Sequence, residues 1–323
     1  MRRLLDRVRI SPDLTSATVD DREVGGDGPR TLRGALSIAL YDAFHAGQKP
    51  RETARRKSLR DPGFEQALRA MVPHRDSRVL APLVPGTADV VRLHGVRVLV
   101  PAARLGAEAE TPGGPARWVG VPAVLPALSP GFLLVNGSLG HDFEAGSCVR
   151  LYVGAETPDA APGLWGALLG RLEDLQVPYR AKVLSARDLY PRRDSIVVYL
   201  GRRSWHVVPE LTRAATAAGG LRRDVSAYVA ELAGGVGWGW EPQDPRPGMR
   251  GLSFGEHRSQ AVAAGLLAHA EHGGDRDRSV TEALLAAGIT PGALHRNLTS
   301  PAVPFETSGP GPGPGSDEEH ERR

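Results

Sequence analysis

Two short runs stand close together in the second half of the chain, “PYRAKVLS” at 178–185 and “DSIVVYL” at 194–200, both rich in β-forming residues. They follow “SCVRLYVGA”, which reads as a strand, and “PDAAPGLWGALLGRLEDLQ”, whose Leu164, Leu168, Leu172 and Leu175 fall along one helical face. Beyond them “WHVVPELTRAATAAGG” reads as a helix closing on glycines and “VGWGWEPQ” as irregular chain. “SFGEHRSQAVAAGLLAHAEHG” reads as a strong helix with Ser253 as its N-cap, and “SVTEALLAAG” as a last helix. This alternation predicts an α+β fold, a mixed or mainly antiparallel sheet flanked by helices.

The first half is organised differently. Leu32, Leu36, Ala39, Leu40, Ala43 and Phe44 recur at helical spacing over 32–46, ended by Gly47, and “DPGFEQALRAMV” is a second, shorter helix. From “ADVVRLHGVRVLVP” onward the period changes to two, with Val91, Leu93, Val96, Val98 and Val100 marking extended chain that “ARWVGVP” and “GFLLVNGS” continue. Residues 1–125 therefore read as a helical then extended region that packs on the main domain and feeds into its sheet. Residues 126–300 form that main domain, and 301–323, low in complexity and rich in Gly, Pro and charge, form a disordered tail.

A chain of 323 residues with 41% hydrophobic side chains can bury a substantial core. The charged start “MRRLLDRVRISPD” does not suit a signal peptide, and no apolar run reaches the about 18 residues a membrane helix requires, so a cytoplasmic protein without membrane association is expected. A single cysteine, Cys148, excludes an internal disulfide and any cysteine-cluster metal site. The formal net charge of +3 argues only weakly for an anionic partner, and no nucleic-acid-binding motif accompanies it. The glycines of “GLWGALLG” have no adjacent phosphate-loop lysine, so a nucleotide site is not supported. Trp238 and Trp240 of “GWGWEP” suit a peptide groove or buried packing equally well.

The chain holds 37 arginines and three lysines. Lys49 and Lys57 lie in “GQKPRETARRKSLRD”, which reads as a solvated basic loop; Lys182 lies in a strand. Residues two apart on a strand share a face, so Arg180 and Lys182 point the same way. A fixed guanidinium beside a partly desolvated amine favours the neutral amine, a form that arginine cannot supply. Lysine at this position therefore suits a general base, a nucleophile or a Schiff-base former, the plain alternative being a strand-end lysine reaching solvent. Arg150 and Tyr152 likewise share a face, and “YPRRD” adds Tyr190, Arg192, Arg193 and Asp194. “SFGEHR” sets His257 and Arg258 at the start of a helix, where backbone N–H groups favour an anion. Together these cations fit a phosphate pocket with a lysine at its rim.

The chain resembles the HopA-type type III effector family, whose actinobacterial members work in peptide natural-product pathways. Four segments carry the resemblance: Arg150-x-Tyr152, Pro178-Tyr179-Arg180-x-Lys182-Val183-Leu184, Tyr190-x-Arg192-x-Asp194 and Phe254-Gly255-x-His257-Arg258. Gly154 stands where the family usually has asparagine. That family is related to phosphothreonine lyases of the OspF and SpvC kind and to lyase domains of lanthipeptide synthetases. The resemblance implies a phosphothreonine-lyase-like fold and β-elimination of phosphate from phosphoserine or phosphothreonine in a ribosomal precursor peptide, giving dehydroalanine or dehydrobutyrine. It further implies the setting of class V lanthipeptide or thioamitide pathways, with a separate kinase supplying the phosphopeptide and a cyclase as a further partner. No metal or organic cofactor is implied. By the same resemblance Lys182 is the base, and Arg180, Arg192, Arg258 and Arg150 bind phosphate. The histidine that serves related lyases as general acid has no counterpart in “RLYVGA”, which leaves Tyr152, His257 and, more weakly, His141 as proton donors. Its loss also suits a rival reading, a non-catalytic subunit that binds peptide or scaffolds a modifying complex.

Overall fold

The computed structural model describes residues 2–48, 59–143 and 147–306. A short helix, α1 (Arg2–Leu5), precedes β1 (Val8–Ile10), β2 (Ser16–Val19) and β3 (Arg22–Gly25), which pair as a small antiparallel sheet. The helix expected over 32–46 is present as α2 (Pro29–Leu40) followed by a π-helical turn, Tyr41–Ala46, that ends at Gly47 in the left-handed region. The wider π turn brings three successive residues, Phe44, His45 and Ala46, into the interior. Next comes α3 (Pro62–Ala70), capped by the Asp61 carboxylate, which accepts from the Phe64 N–H. The basic loop containing Lys49 and Lys57 lies largely outside the described residues, both lysines included.

The extended run that follows departs from expectation. β4 (Asp76–Pro82), β5 (Val90–Leu93), β6 (Val96–Leu99), β7 (Leu105–Thr111) and β8 (Gly114–Pro122) do not join the main sheet. They form a β4-β8-β7 sheet and a β5-β6 hairpin around a minor core of Ala81, Val91, Val100 and Val119. Their alternation buries one face only, enough for this satellite core and too little for a sheet covered on both sides.

The main sheet begins with β9 (Val124–Ser129) and β10 (Phe132–Asn136), then β11 (Val149–Val153). After α4 (Ala161–Asp174) come β12 (Arg180–Leu184) and β13 (Ile196–Leu200), then α5 (Val208–Ala218), β14 (Ala230–Ala233) and β15 (Val236–Trp240). Two further helices follow, α6 (Phe254–His272) and α7 (Arg276–Ala286). The seven strands lie in the order β14-β15-β11-β13-β12-β10-β9, every neighbouring pair antiparallel, giving the expected α+β architecture. One face carries Leu151, Val183, Val198 and Trp238 against α3, α4 and α5. The opposite face carries Tyr152 and Val197 against α2, the π turn, α6 and α7.

“VGWGWEPQ”, expected to be irregular, supplies β15, a fully buried strand. Trp238 and Trp240 belong to the core beneath it, so they line no groove. Gly237 and Gly239 face the other way, and a Cβ on Gly239 would meet the Phe254 ring at 2.8 Å. Glycine here is a weak strand former retained because α6 must approach the sheet. The tail also begins later than expected: Val303 is buried and the Phe305 ring meets Trp238 at 5.0 Å, while 307–323 lie outside the described residues. Among the described residues no helix is long and apolar enough to cross a membrane.

Replacing Gly239 by valine should overpack the α6 contact and lower stability by about 1–3 kcal/mol in urea unfolding. Gly170→Ala, in α4 with no atom near the added methyl, should raise it by about 0.5–1 kcal/mol.

Candidate active site

Antiparallel register arranges the polar side chains of the sheet in two transverse rows. In one row Asn136, Arg180, Tyr199, Arg150 and Gly239 are successive cross-strand partners; in the next stand Leu134, Lys182, Val197, Tyr152 and Gly237. Partners in register share a face. Gly239 at the end of the first row lies beneath Phe254 of α6, and Gly237 at the end of the second lies against Val229 and Ala230. The other end opens into a cleft of about 740 Å³ lined by Leu134, Arg180, Lys182 and Tyr199, with the loop from Glu241 to Leu252 as its far wall.

Lys182 is half-buried in this cleft. Its Nζ lies 4.2 Å from the centroid of the Phe132 ring and 5.9 Å from that of Tyr199, and among the described residues it makes no hydrogen bond or ion pair. Arg180 beside it donates from Nε to Asn136 Oδ1 at 2.8 Å and from Nη2 to His141 Nε2 at 2.7 Å. No carboxylate among the described residues neutralises it, and burial pushes its pKa below the ordinary arginine value. Because a guanidinium only donates, His141 accepts at Nε2 and carries its proton on Nδ1. Burial, with the Arg180 charge, holds the His141 pKa down at about 4. His141 is thus a neutral support for Arg180, its ring stacked on Phe143 at 4.6 Å.

The other predicted residues occupy different surroundings. Arg150 is buried, paired through two nitrogens with Glu241 and set 4.9 Å from the Tyr199 ring, so its charge is already met by a carboxylate. Arg192 is held bidentate by Asp194 at 2.7 Å and also donates to the Tyr41 hydroxyl; it nears the cleft only through Phe132, 5.9 Å away. Arg258 is fully buried and donates to the Leu294 carbonyl, His257 Nδ1 and Asn297 Oδ1; burial lowers its pKa to about 9. It lines no part of the cleft, so the expected phosphate contact from this arginine is not formed.

His257 is fully buried too. It accepts from Arg258 at Nδ1, and its Nε2–H donates to Asp244 at 3.0 Å, so neither ring nitrogen can serve a substrate. Burial and the Arg258 charge lower its pKa to about 4. Burial alone would raise the Asp244 pKa, but hydrogen bonds from Arg246 and His257 outweigh it and hold it at about 2. This carboxylate therefore anchors the cleft loop to α6. The α6 N-terminus does not await an anion either, because Ser253 and Glu256 close a reciprocal capping box over its N–H groups. Tyr152 is 3% exposed, its ring 5.6 Å from Phe254, and its hydroxyl makes no hydrogen bond of ordinary geometry to another described residue. It stands one strand beyond the cleft, away from any leaving group. Tyr190 is buried with its hydroxyl on the Leu184 carbonyl, and Arg193 pairs with Asp224. A side chain at position 154 would crowd Arg222 and the 192–193 backbone, which accounts for Gly154.

Sequence reasoning missed Tyr199 and Arg250, which line the cleft, and Asn136, which supports Arg180 beside it. Tyr199 is Arg180's register partner; its signal was the two-residue step from Val197 in “DSIVVYL”. Asn136 showed only as a polar residue closing an apolar strand, and Arg250, exposed on the cleft loop and in no ion pair with a described residue, had no signal. On the same face of the sheet as the cleft and beside Tyr152, His45 of the π turn bonds Ser226 Oγ at 2.8 Å and places Nε2 3.7 Å from Asp194. Burial holds its pKa at about 4 despite Asp194. Among the described residues no group of three or more His, Cys, Asp or Glu side chains is arranged to hold a metal ion.

The family model for the HopA1 effector protein family matches residues 123–296, a little over half of the chain. The chain belongs to that family. The matched span contains all seven strands of the main sheet and every residue named as lining the cleft. Solved structures similar to this chain include an effector protein from Pseudomonas syringae pv. syringae strain 61, 14% identical, with 81% of this chain and 89% of that one covered and a TM-score of 0.46. Another is an effector protein from Pseudomonas syringae pv. tomato strain DC3000, 14% identical, with 82% and 90% covered and a TM-score of 0.48. No curated protein matches.

His45 and His257 remain neutral when folded to about pH 4, whereas unfolded histidine protonates near its ordinary 6.5. The unfolded chain thus binds more protons in that window, and stability should fall as pH drops from 6.5 towards 4, by on the order of 3 kcal/mol for each histidine. Urea midpoints at pH 7.5 and 4.5 measure the loss, which His45→Gln should reduce.

Proposed function

We propose that this protein is a phosphoserine/phosphothreonine lyase acting on a ribosomal precursor peptide. The observation that carries the reading is the pairing, in one cleft, of a lysine without a hydrogen-bond partner and a guanidinium without a carboxylate partner among the described residues. Such a pair supplies a base and an anion site on adjacent positions of one strand face. The motif resemblance supports the same reaction class.

In this reading the phosphate sits on Arg180, held in position by Asn136 and His141, with Arg250 adding charge from the loop. Lys182, as the free amine, takes the Cα proton. The C–H electrons form the Cα–Cβ double bond, the Cβ–O bond breaks, and phosphate departs with that bond's electron pair. Tyr199 gives a hydrogen bond or proton to the departing oxygen, replacing Tyr152 and His257 in that role. Arg192 and Arg150 act from beside the cleft, as fixed charges already paired with Asp194 and Glu241. A separate kinase supplies the phosphopeptide in the cytoplasm, and a cyclase can consume the dehydrated product.

The test combines kinase, precursor and lyase, followed by mass spectrometry. With Lys182→Ala, phosphopeptide should accumulate at about 80 Da above precursor per site, the mass a phosphoryl group adds. A scaffolding protein would instead lose phosphorylation itself. Lys182→Arg should also cost about 100-fold or more in kcat, and normal turnover in that variant would remove the base assignment. Tyr199→Phe should cost about tenfold or more in kcat with little change in KM.

A further inference from the structure

A second cavity, about 780 Å³, meets the cleft at Arg180, which lines both. It runs between the main sheet and the β4-β8-β7 sheet, two units that the chain builds separately. Its walls are aliphatic, from Leu80, Leu93, Val121, Leu125 and Leu128, of which Leu128 is 61% exposed. Leucines left this open along a groove mark a surface that something covers. The groove is also cationic. Arg78 and Arg203 line it, both exposed and neither in an ion pair with a described residue; among the described residues Asp142 is the one carboxylate that lines it. β9, which contributes Leu125 and Leu128, is an edge strand paired on one side only. Extended peptides recognise such edges through backbone hydrogen bonds and alternate side chains.

We infer that this groove holds the stretch of substrate next to the phosphorylated residue, as an extended segment alternating apolar and acidic side chains. The inference rests on the lyase reading for the position of the phosphate and adds the substrate class. Leucine-type side chains fill the aliphatic wall, carboxylates meet Arg78 and Arg203, and Arg180 fixes the register by holding the phosphate where the two cavities join. Single-stranded nucleic acid fits less well, because the one tryptophan lining the groove, Trp118, is already covered by the Arg78 guanidinium at 4.5 Å.

The experiment uses fluorescein-labelled synthetic peptides of about 12 residues, roughly 40 Å when extended. Each carries one phosphoserine, flanked by alternating Glu and Leu, by alternating Lys and Leu, or by alanine. Fluorescence anisotropy with the Lys182→Ala protein should show the acidic peptide binding about tenfold or more tightly than the other two. Arg78→Glu/Arg203→Glu in that background should remove the preference and favour the lysine peptide. In the otherwise wild-type enzyme the same double variant should raise KM for the acidic peptide by a larger factor than for the alanine peptide. Equal affinity of the double variant and its parent for the acidic peptide overturns the groove. So does an oligonucleotide that displaces that peptide from the parent but not from the charge-reversed protein. If the wild-type enzyme eliminates phosphate from none of the peptides while charge reversal still governs binding, the groove stands and the lyase reading falls.

Discussion

Antiparallel register between β12 and β13 governs the positions of Arg180, Lys182 and Tyr199 in the cleft. Arg180 opposite Tyr199 and Lys182 opposite Val197 set two rows of side chains on one sheet face. The rows continue into Arg150 and Tyr152, and in the other direction into Asn136 and Leu134. A slip of one residue would turn Lys182 into the hydrophobic core beneath and bring Ala181 and Val183 into the cleft. That cost is prevented by the buried residues of the opposite face, Ala181, Val183, Ile196 and Val198, which are all 0% exposed. Packing on one side of the sheet therefore holds the chemistry on the other.

What distinguishes the cleft from the surrounding cations is charge balance. Arg150 has Glu241 and Arg192 has Asp194, each through a two-point contact that satisfies the guanidinium. Arg258, without a carboxylate partner among the described residues, is satisfied by a carbonyl, an imidazole and an amide. Among the described residues Arg180 is held only by neutral acceptors, Asn136 and His141, which orient it without cancelling its charge. Of these four arginines, Arg180 alone lines the cleft.

Much of the second half was legible because its signals are local. β11, α4, β12, β13, α5 and α6 follow from period and caps, and the shared face of Arg180 and Lys182 follows from strand geometry alone. The assignments that failed depend on partners far away in sequence. Glu241 neutralises Arg150 from 91 residues on, and Asn297 receives Arg258 from 39. An arginine at the start of a helix reads as exposed until its acceptors are known. β15 was hidden because its glycines admit Phe254 at Gly239 and Val229 at Gly237, a tertiary requirement that strand propensity does not record. Tyr199 was visible as a strand residue, but its role needed the register with β12.

The most direct measurement is a crystal structure of the Lys182→Ala protein with an uncleaved phosphoserine peptide. The elimination geometry requires the phosphate oxygens within hydrogen-bond distance of Arg180, and the substrate Cα–H directed at the space vacated by the lysine amine. A phosphate bound away from Arg180, or a Cα–H turned from position 182, would contradict it.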